Sequence, residues 1–347
     1  MSATQSVNPK QAKALIQDCM KAGLVPLLKG SPGTSKSSIM ARIAKEQNLK
    51  LIDIRLAQID EVELNGFPDL SGEKASYKQF DIFPTQGDIP PEGYDGWLLF
   101  FDELTSADKI KQGAAYKIIL DRMVGQETLH DNALCVAAGN LLTDKAVVNN
   151  MSTAMQSRLI HINMGVDKDD WIDWAIKAGI DNRVISFIEW QPSKLHAFNP
   201  AHQDDTFACQ RTWEFASRLL KVIGTFTSDK LPLLAGTVSE GVAREFKAFC
   251  DLSHGLVKFD DILKDPENAP IPEEGIKDRA GLLYATVGML ADNTNKDNAD
   301  TVMKYITRLP AEFQLCTVKR IYVRDDTIIE NTTVRNWLVA NAREWLN

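Results

Sequence analysis

The 347-residue sequence lacks a membrane span: none of its apolar runs approaches the roughly 20 residues that cross a bilayer as a helix. It is poor in cysteine. The five thiols, Cys19, Cys135, Cys209, Cys250 and Cys316, are scattered and odd in number. That usage excludes a disulfide framework and suits reduced thiols in a cytoplasm. The five histidines show no ligand spacing, so no metal site built by the protein alone is expected. Positive charge is also short. Lys and Arg total 39 against 47 Asp and Glu, a formal net charge of −8. A chain this acidic lacks the electrostatic footprint of a non-specific nucleic-acid binder. Lys109, Lys111 and Lys117 read as a solvated helix face rather than a nucleic-acid track. The opening Met-Ser-Ala-Thr-Gln-Ser lacks the basic and apolar pattern of a signal peptide, so a cytoplasmic location is expected. No Ser-His or Cys-His pairing, internal repeat or low-complexity tract stands out.

What is present is a soluble-type composition, 44% apolar and 25% charged, on a chain long enough for two or three domains. Its most informative segment runs Gly30, Ser31, Pro32, Gly33, Thr34, Ser35, Lys36, Ser37 and Ser38. This nearly matches the phosphate-cradling loop of nucleotide hydrolases. Backbone N–H groups of such a loop wrap the phosphates, Lys36 supplies a point charge at the β and γ positions, and the Ser37 hydroxyl can ligate Mg²⁺. The pattern asks for Gly where this chain has Ser35. The flanks fit. Leu24, Val25, Leu27 and Leu28 read as a buried strand with Pro26 near its start. Ile39, Met40, Ile43 and Ala44 recur at helical spacing, which places the positive end of a helix dipole beneath the phosphates.

Trp97 to Phe101 forms a continuous apolar run ending in Asp102-Glu103, as expected for a strand buried on both faces with carboxylates at its ligand-binding edge. Asp102 suits the Mg²⁺ shell, and Glu103 suits the base that orients or deprotonates the attacking water. Ala133 to Ala138 reads as another strand and ends in Gly139-Asn140, where an amide can reach the attacking water or the γ-phosphate. Met151 to Arg158 reads as a helix delivering an arginine before the run Leu159 to Ile162. A guanidinium there suits neutralisation of a transferring phosphoryl group.

The order of these segments resembles the AAA+ ATPases, in particular their MoxR-like branch. The likeness is carried by Gly30-Ser-Pro-Gly33, Phe101-Asp-Glu103, Ala137-Ala-Gly-Asn140 and Ala154-Met-Gln-Ser-Arg158. Gln210-Arg211-Thr212-Trp213-Glu214 looks like the second sensor, and Leu234-Ala-Gly236 to Phe249 like the lid segment after it. The resemblance covers about residues 8–252. It implies an α/β fold: an AAA+ P-loop NTPase core with a parallel sheet, then an α-helical lid and a C-terminal helical extension. It implies ATP and Mg²⁺ bound between the copies of a homo-oligomeric ring, usually a hexamer. Arg158 would then be a finger for the neighbouring subunit, and Arg211 a γ-phosphate sensor that Arg218 could replace. A protein client is implied, one carrying a von Willebrand A domain being common among relatives. Ser35 departs from the family pattern and puts nucleotide affinity in question.

The expected division is 1–165 for the nucleotide domain, 166–255 for the lid and 256–347 for the extension. The first helix, Pro9 to Met20, should pack Ala12, Leu15, Ile16 and Cys19. Trp171, Trp174 and Ala175 should share one face in the lid, and Val184, Ile185 and Ile188 another. Phe215, Leu219 and Val222 continue the second-sensor helix. A helix over Val238 to Cys250 contains Gly241, which suggests a close packing approach there. Lys264 to Pro272 reads as a linker before two or three helices whose core includes Leu282, Leu283, Tyr284, Val287, Leu290, Trp337, Leu338 and Trp345. Tyr77, Phe80 and Phe83 could line a pore, although packing against the core is the favoured expectation. Two alternatives stay open beside the remodelling ATPase. One is a nucleic-acid motor or loader of the same superfamily, and the other a nucleotide-gated scaffold with little turnover.

Overall fold

Six short strands dominated by buried apolar side chains pair into one sheet in the computed structural model, which describes residues 5–74, 76–141, 144, 149, 151–201, 204–252, 255–276 and 278–341. They are β1 (Ser6–Val7), β2 (Pro26–Lys29), β3 (Leu49–Arg55), β4 (Gly96–Asp102), β5 (Ala133–Gly139) and β6 (Ile160–Met164). All pairings are parallel, in the order β1–β6–β2–β5–β4–β3. Pro26 occupies the first position of β2, opposite Ile160, where a missing N–H costs the ladder least. β4 is buried from Gly96 through Phe101. Adjacent residues of the strands serve opposite faces, as the two-residue period of a strand requires. Leu28, Leu98, Phe100, Val136 and Ala138 join one cluster, while Leu27, Leu99, Phe101, Cys135 and Ala137 join the other. Burial pushes the Cys135 thiol up to about 12.

Helix α1 (Pro9–Lys21) starts at an Asn8 cap with a reciprocal Gln11 contact and Pro9 in its first turn, a strong local start signal. It buries Ala12, Ile16 and Met20, while Leu15 faces solvent and Cys19 is half-buried. Helix α2 (Lys36–Glu46) buries Ile39, Met40, Ile43 and Ala44 against the same sheet face. Between β3 and β4 lie a short helical turn, Glu61–Asn65, and a hairpin pairing Phe67–Asp69 with Ser76–Lys78. Of the three aromatics expected to pack here only Phe83 is buried; Tyr77 and Phe80 are exposed. The reason is local: Tyr77 sits on a two-stranded hairpin with no second layer, and Phe83 lies beyond it under the sheet's own core. Helix α3 (Lys109–Tyr116) continues as a π-helical turn, Lys117–Asp121. Lys117 is not part of a solvated face, because its ammonium bonds to the Gly125 carbonyl.

Residues through Asp167, with 199–201, form one compact unit; 168–198 and the residues from 202 on form a second, all-helical one. The second unit has two hydrophobic clusters. One gathers α4 (Lys168–Lys177), α5 (Asn182–Trp190), α6 (Gln210–Ile223), α7 (Leu231–Val238) and α8 (Glu240–Leu252) around Phe187, Trp213, Phe246 and Phe249. Trp171, Ala175, Val184, Ile185 and Ile188 all belong to it, with Trp174 packed at its margin. In α6 the buried stripe is Trp213, Ala216, Ser217 and Leu220, while Phe215 and Val222 are exposed. Ser239 at φ 81° separates α7 from α8, so the helix expected over Val238 to Cys250 is broken at its start. Gly241 meets nothing within 4 Å, so no close approach explains it.

The second cluster holds α9 (Phe259–Lys264), α10 (Arg279–Asn293), α11 (Ala299–Ile306), α12 (Ala311–Arg324) and α13 (Thr332–Ala340). Four of these follow the 264–272 stretch, more than the two or three the sequence suggests. Short polar connections such as Asn295–Asn298 hide the breaks between them. Leu283, Val287 and Leu290 are core, and Leu282, Tyr284, Trp337 and Leu338 are half-buried; Trp345 lies outside the described residues. A buried polar knot ties α5 to α12. Arg320 bonds Glu189 at 3.1 Å and Ser186 at 3.0 Å, and contacts Asn182; Cys316 donates to Glu189 at 3.2 Å. Arg320→Ala strands a buried carboxylate and should cost about 3–5 kcal/mol. The paired replacement Arg320→Met with Glu189→Leu should lose much less, and thermal unfolding of both variants checks the order.

Candidate functional site

The carboxyl ends of β2, β5 and β4, neighbours in that order, gather the candidate residues. The turn after β2 carries Gly30 to Ser35, with Gly33 at φ 78° and Ser35 at φ 60°. Ser35 is the residue before α2 and adopts the left-handed conformation. This gives the missing glycine a backbone meaning: the position needs φ > 0, which Gly adopts freely and Ser holds at a cost of about 1 kcal/mol. Thr34 Oγ1 closes the turn on the Ser31 carbonyl at 2.7 Å. Gly30 is a close-approach position, since a Cβ there would stand 3.1 Å from both the Met164 carbonyl and Thr34 Oγ1.

Lys36 Nζ donates to the Gly30 carbonyl at 2.7 Å, the Ser31 carbonyl at 3.1 Å and Asn140 Oδ1 at 3.2 Å. Its ammonium is thereby centred in the turn. Lys29, the last residue of β2, is half-buried, and that desolvation lowers its ammonium below the usual lysine range. The Ser37 hydroxyl donates to Asp102 Oδ2 at 3.0 Å. Asp102 Oδ1 accepts the Glu103 N–H at 2.8 Å. Glu103 itself is left-handed, at φ 59°, a second strained residue within one site.

These oxygens suit a hard divalent cation. An octahedral Mg²⁺ with metal–oxygen distances of about 2.1 Å has cis ligands about 3.0 Å apart. The Ser37 and Asp102 oxygens stand at that separation. Among the described residues no three His, Cys, Asp or Glu side chains gather as a ligand set.

Three contributors were not singled out by the sequence. Thr105 Oγ1 accepts the Asn140 N–H at 2.9 Å, and Gly139 leaves it room, because a Cβ there would meet Thr105 Oγ1 at 2.5 Å. Asp144 is buried and accepts Ser31 Oγ at 3.1 Å. Tyr116 accepts a hydrogen bond from Arg158. A polar residue just past an acidic strand end, as Thr105 is, could have been noticed; Asp144 and Tyr116 are joined to their partners only by folding.

Arg158 lies apart from this cluster, within the same unit. Arg158 is exposed and precedes β6 by two residues, so it stands at the amino edge of the sheet. The phosphate loop leaves the carboxyl edge, and five residues of strand put about 16 Å between the two edges. Arg211 lies in the first turn of α6, in the second unit, and is exposed. Arg218, its alternate, is already paired with Glu214.

A glycine-rich turn between a central parallel strand and a helix, with its Lys, Ser, Asp and Asn mutually bonded, decides the fold. The core is an α/β parallel-sheet fold of P-loop type. No family model and no curated protein matches this chain. Similar solved structures include a candidate ATPase from Cytophaga hutchinsonii, 14% identical, covering 97% of this chain and 90% of its own with a TM-score of 0.36. A RuvB point mutant from Thermotoga maritima is 16% identical over 76% of this chain and 77% of its own, TM-score 0.37. NtrX from Brucella abortus in complex with ADP is 11% identical over 95% and 67%, TM-score 0.38.

Two outcomes are expected. Ser35→Gly should relieve the turn and raise unfolding stability by about 0.5–1 kcal/mol, read from denaturant midpoints; a loss would show that the Ser35 side chain holds the loop. Gly139→Ala should push Thr105 off Asn140 and weaken nucleotide affinity without unfolding the protein, measured by titration with a fluorescent ATP analogue.

Proposed function

We propose that the chain is a MoxR-like AAA+ ATPase that binds ATP-Mg²⁺ between the copies of a ring and uses hydrolysis to remodel or activate a protein client. The observation that carries this reading is the bonded set Lys36, Ser37, Asp102 and Asn140 at one sheet edge, with Arg158 at the other. The loop N–H groups and Lys36 hold the phosphates. Ser37 and Asp102 would hold Mg²⁺, which would supply positive charge against the negative charge that develops on the transferring phosphoryl group. Glu103 takes the proton of the attacking water, and Asn140 orients that water. Arg158, too far along the strands to serve its own loop, reaches the nucleotide of the next copy, and Arg211 reports the γ-phosphate. In this scheme residues 1–165 are the motor, 166–255 the lid and 256–347 the extension that addresses a client, a von Willebrand A domain protein being the resemblance's candidate. Net acidity and the absence of any helix among the described residues long and apolar enough to span a membrane are compatible with a protein client.

Lys36→Ala should abolish ATP binding in equilibrium titrations. Glu103→Gln should bind ATP and stall. Arg158→Ala should bind normally and turn over on the order of 10³-fold more slowly. Mixing the last two inactive variants should restore turnover at hybrid interfaces. Wild-type turnover per molecule that stays constant down to nanomolar dilution would overturn the shared site.

A further inference from the structure

Several arginines in this protein are met by carboxylates. Arg183 pairs with Asp181, Arg244 with Glu240, Arg320 with Glu189 and Arg218 with Glu214. Arg158, like Arg308, is held instead by a carbonyl and an aromatic ring. Its partners among the described residues are the Tyr116 hydroxyl, the Tyr116 ring, whose centroid lies 5.5 Å from the guanidinium carbon, and the Ala154 carbonyl at 3.3 Å. All three are neutral, so the side chain is aimed while its full positive charge is kept for an anion. A carboxylate in the same place would have cancelled that charge.

Tyr116 is itself firmly seated. It is partly buried against the first unit's core, at the residue where α3 widens into the π-helical turn Lys117–Asp121. Such turns add a residue and re-aim the side chains around them, and they recur at functional sites. The other end of α3 is fixed to the Glu103 loop. Asp108 caps it, accepting the Ile110 and Lys111 N–H groups, and buried Gln112 donates to the Leu104 and Ala107 carbonyls at 3.2 Å each. One rigid element therefore joins this copy's own hydrolytic loop to the arginine it would present to a neighbour.

We propose that Tyr116 is the positioning residue for Arg158, aiming the finger through its hydroxyl and ring without neutralising it. The inference rests on the shared-site reading above. Arginine carries large rotamer freedom, and holding it in advance lowers the entropy lost when it engages the transferring phosphoryl group. The effect belongs in kcat, since ground-state nucleotide binding is made by another copy's loop.

The test compares Tyr116→Ala, Tyr116→Phe, Arg158→Ala and the double variant Tyr116→Ala/Arg158→Ala, by steady-state ATP turnover and fluorescent-nucleotide affinity at a protein concentration where the wild type is fully active. Tyr116→Ala should lower kcat about tenfold with KM and affinity within about twofold, and Tyr116→Phe, which keeps the ring, should lose about two- to threefold. The double variant should be no slower than Arg158→Ala alone, because Tyr116 acts through that arginine. Equal fold losses from Tyr116→Ala in both backgrounds, or an unchanged kcat, would overturn the assignment. Full turnover by Arg158→Ala would instead remove the finger reading on which it stands.

Discussion

The hydrogen bond from Ser37 to Asp102 joins the start of a helix to the end of a strand 65 residues away. The site depends on it because the two groups come from different layers of the fold. Ser37 is set by the turn after β2, and Asp102 by a strand whose every preceding residue is buried. Neither can shift without disturbing packed neighbours on the sheet, and interiors packed to crystal density transmit such shifts rather than absorb them. Lys36 and Asn140 make the second cross-link, from the same turn to β5. Two bonds thus register three strand ends against one another before any ligand arrives.

Strain is concentrated here. Among the described residues six non-glycine positions have positive φ, and Ser35, Glu103 and Arg122 are three of them. The first two adjoin Lys36 and Asp102; the third ends the π-helical turn that follows Tyr116. Backbone held in this way costs stability, and it persists where the surroundings over-determine it. The Arg122 side chain shows how: it donates to the Ala133 and His130 carbonyls at 2.9 and 2.6 Å, locking the turn it ends.

Much of the first unit was legible in the sequence because its signals are local. The apolar runs at 26–29, 96–102 and 133–139 have no other use than buried parallel strands, and the glycine-rich turn between strand and helix needs no long-range information. Ser35 was legible as a departure, but its physical content, a left-handed backbone, was not. Tyr77 and Phe80 were misjudged because an aromatic alternating with polar residues reads alike on a packed strand and on an unsupported hairpin. The helical remainder was less legible. In α6 the packed stripe contains Ala216 and Ser217 while Phe215 and Val222 face out, so size and hydrophobicity point to the wrong face. Asp144 and Tyr116 carried no signal at all, since each acquires its meaning from a partner 113 or 42 residues away.

The separation of Arg158 from the phosphate loop by the full height of the sheet makes the molecule polar as a building block. On the function proposed above, one rim would offer a cation and the opposite rim the place for an anion. Two copies set antiparallel about a two-fold axis would match the unlike rims twice and stop at a pair, whereas a head-to-tail contact would match them once. A heterologous contact of that kind always leaves one unmatched rim at each end of a stack. It ends only by closing on itself; a copy added with the wrong rotation would seed a helical filament instead.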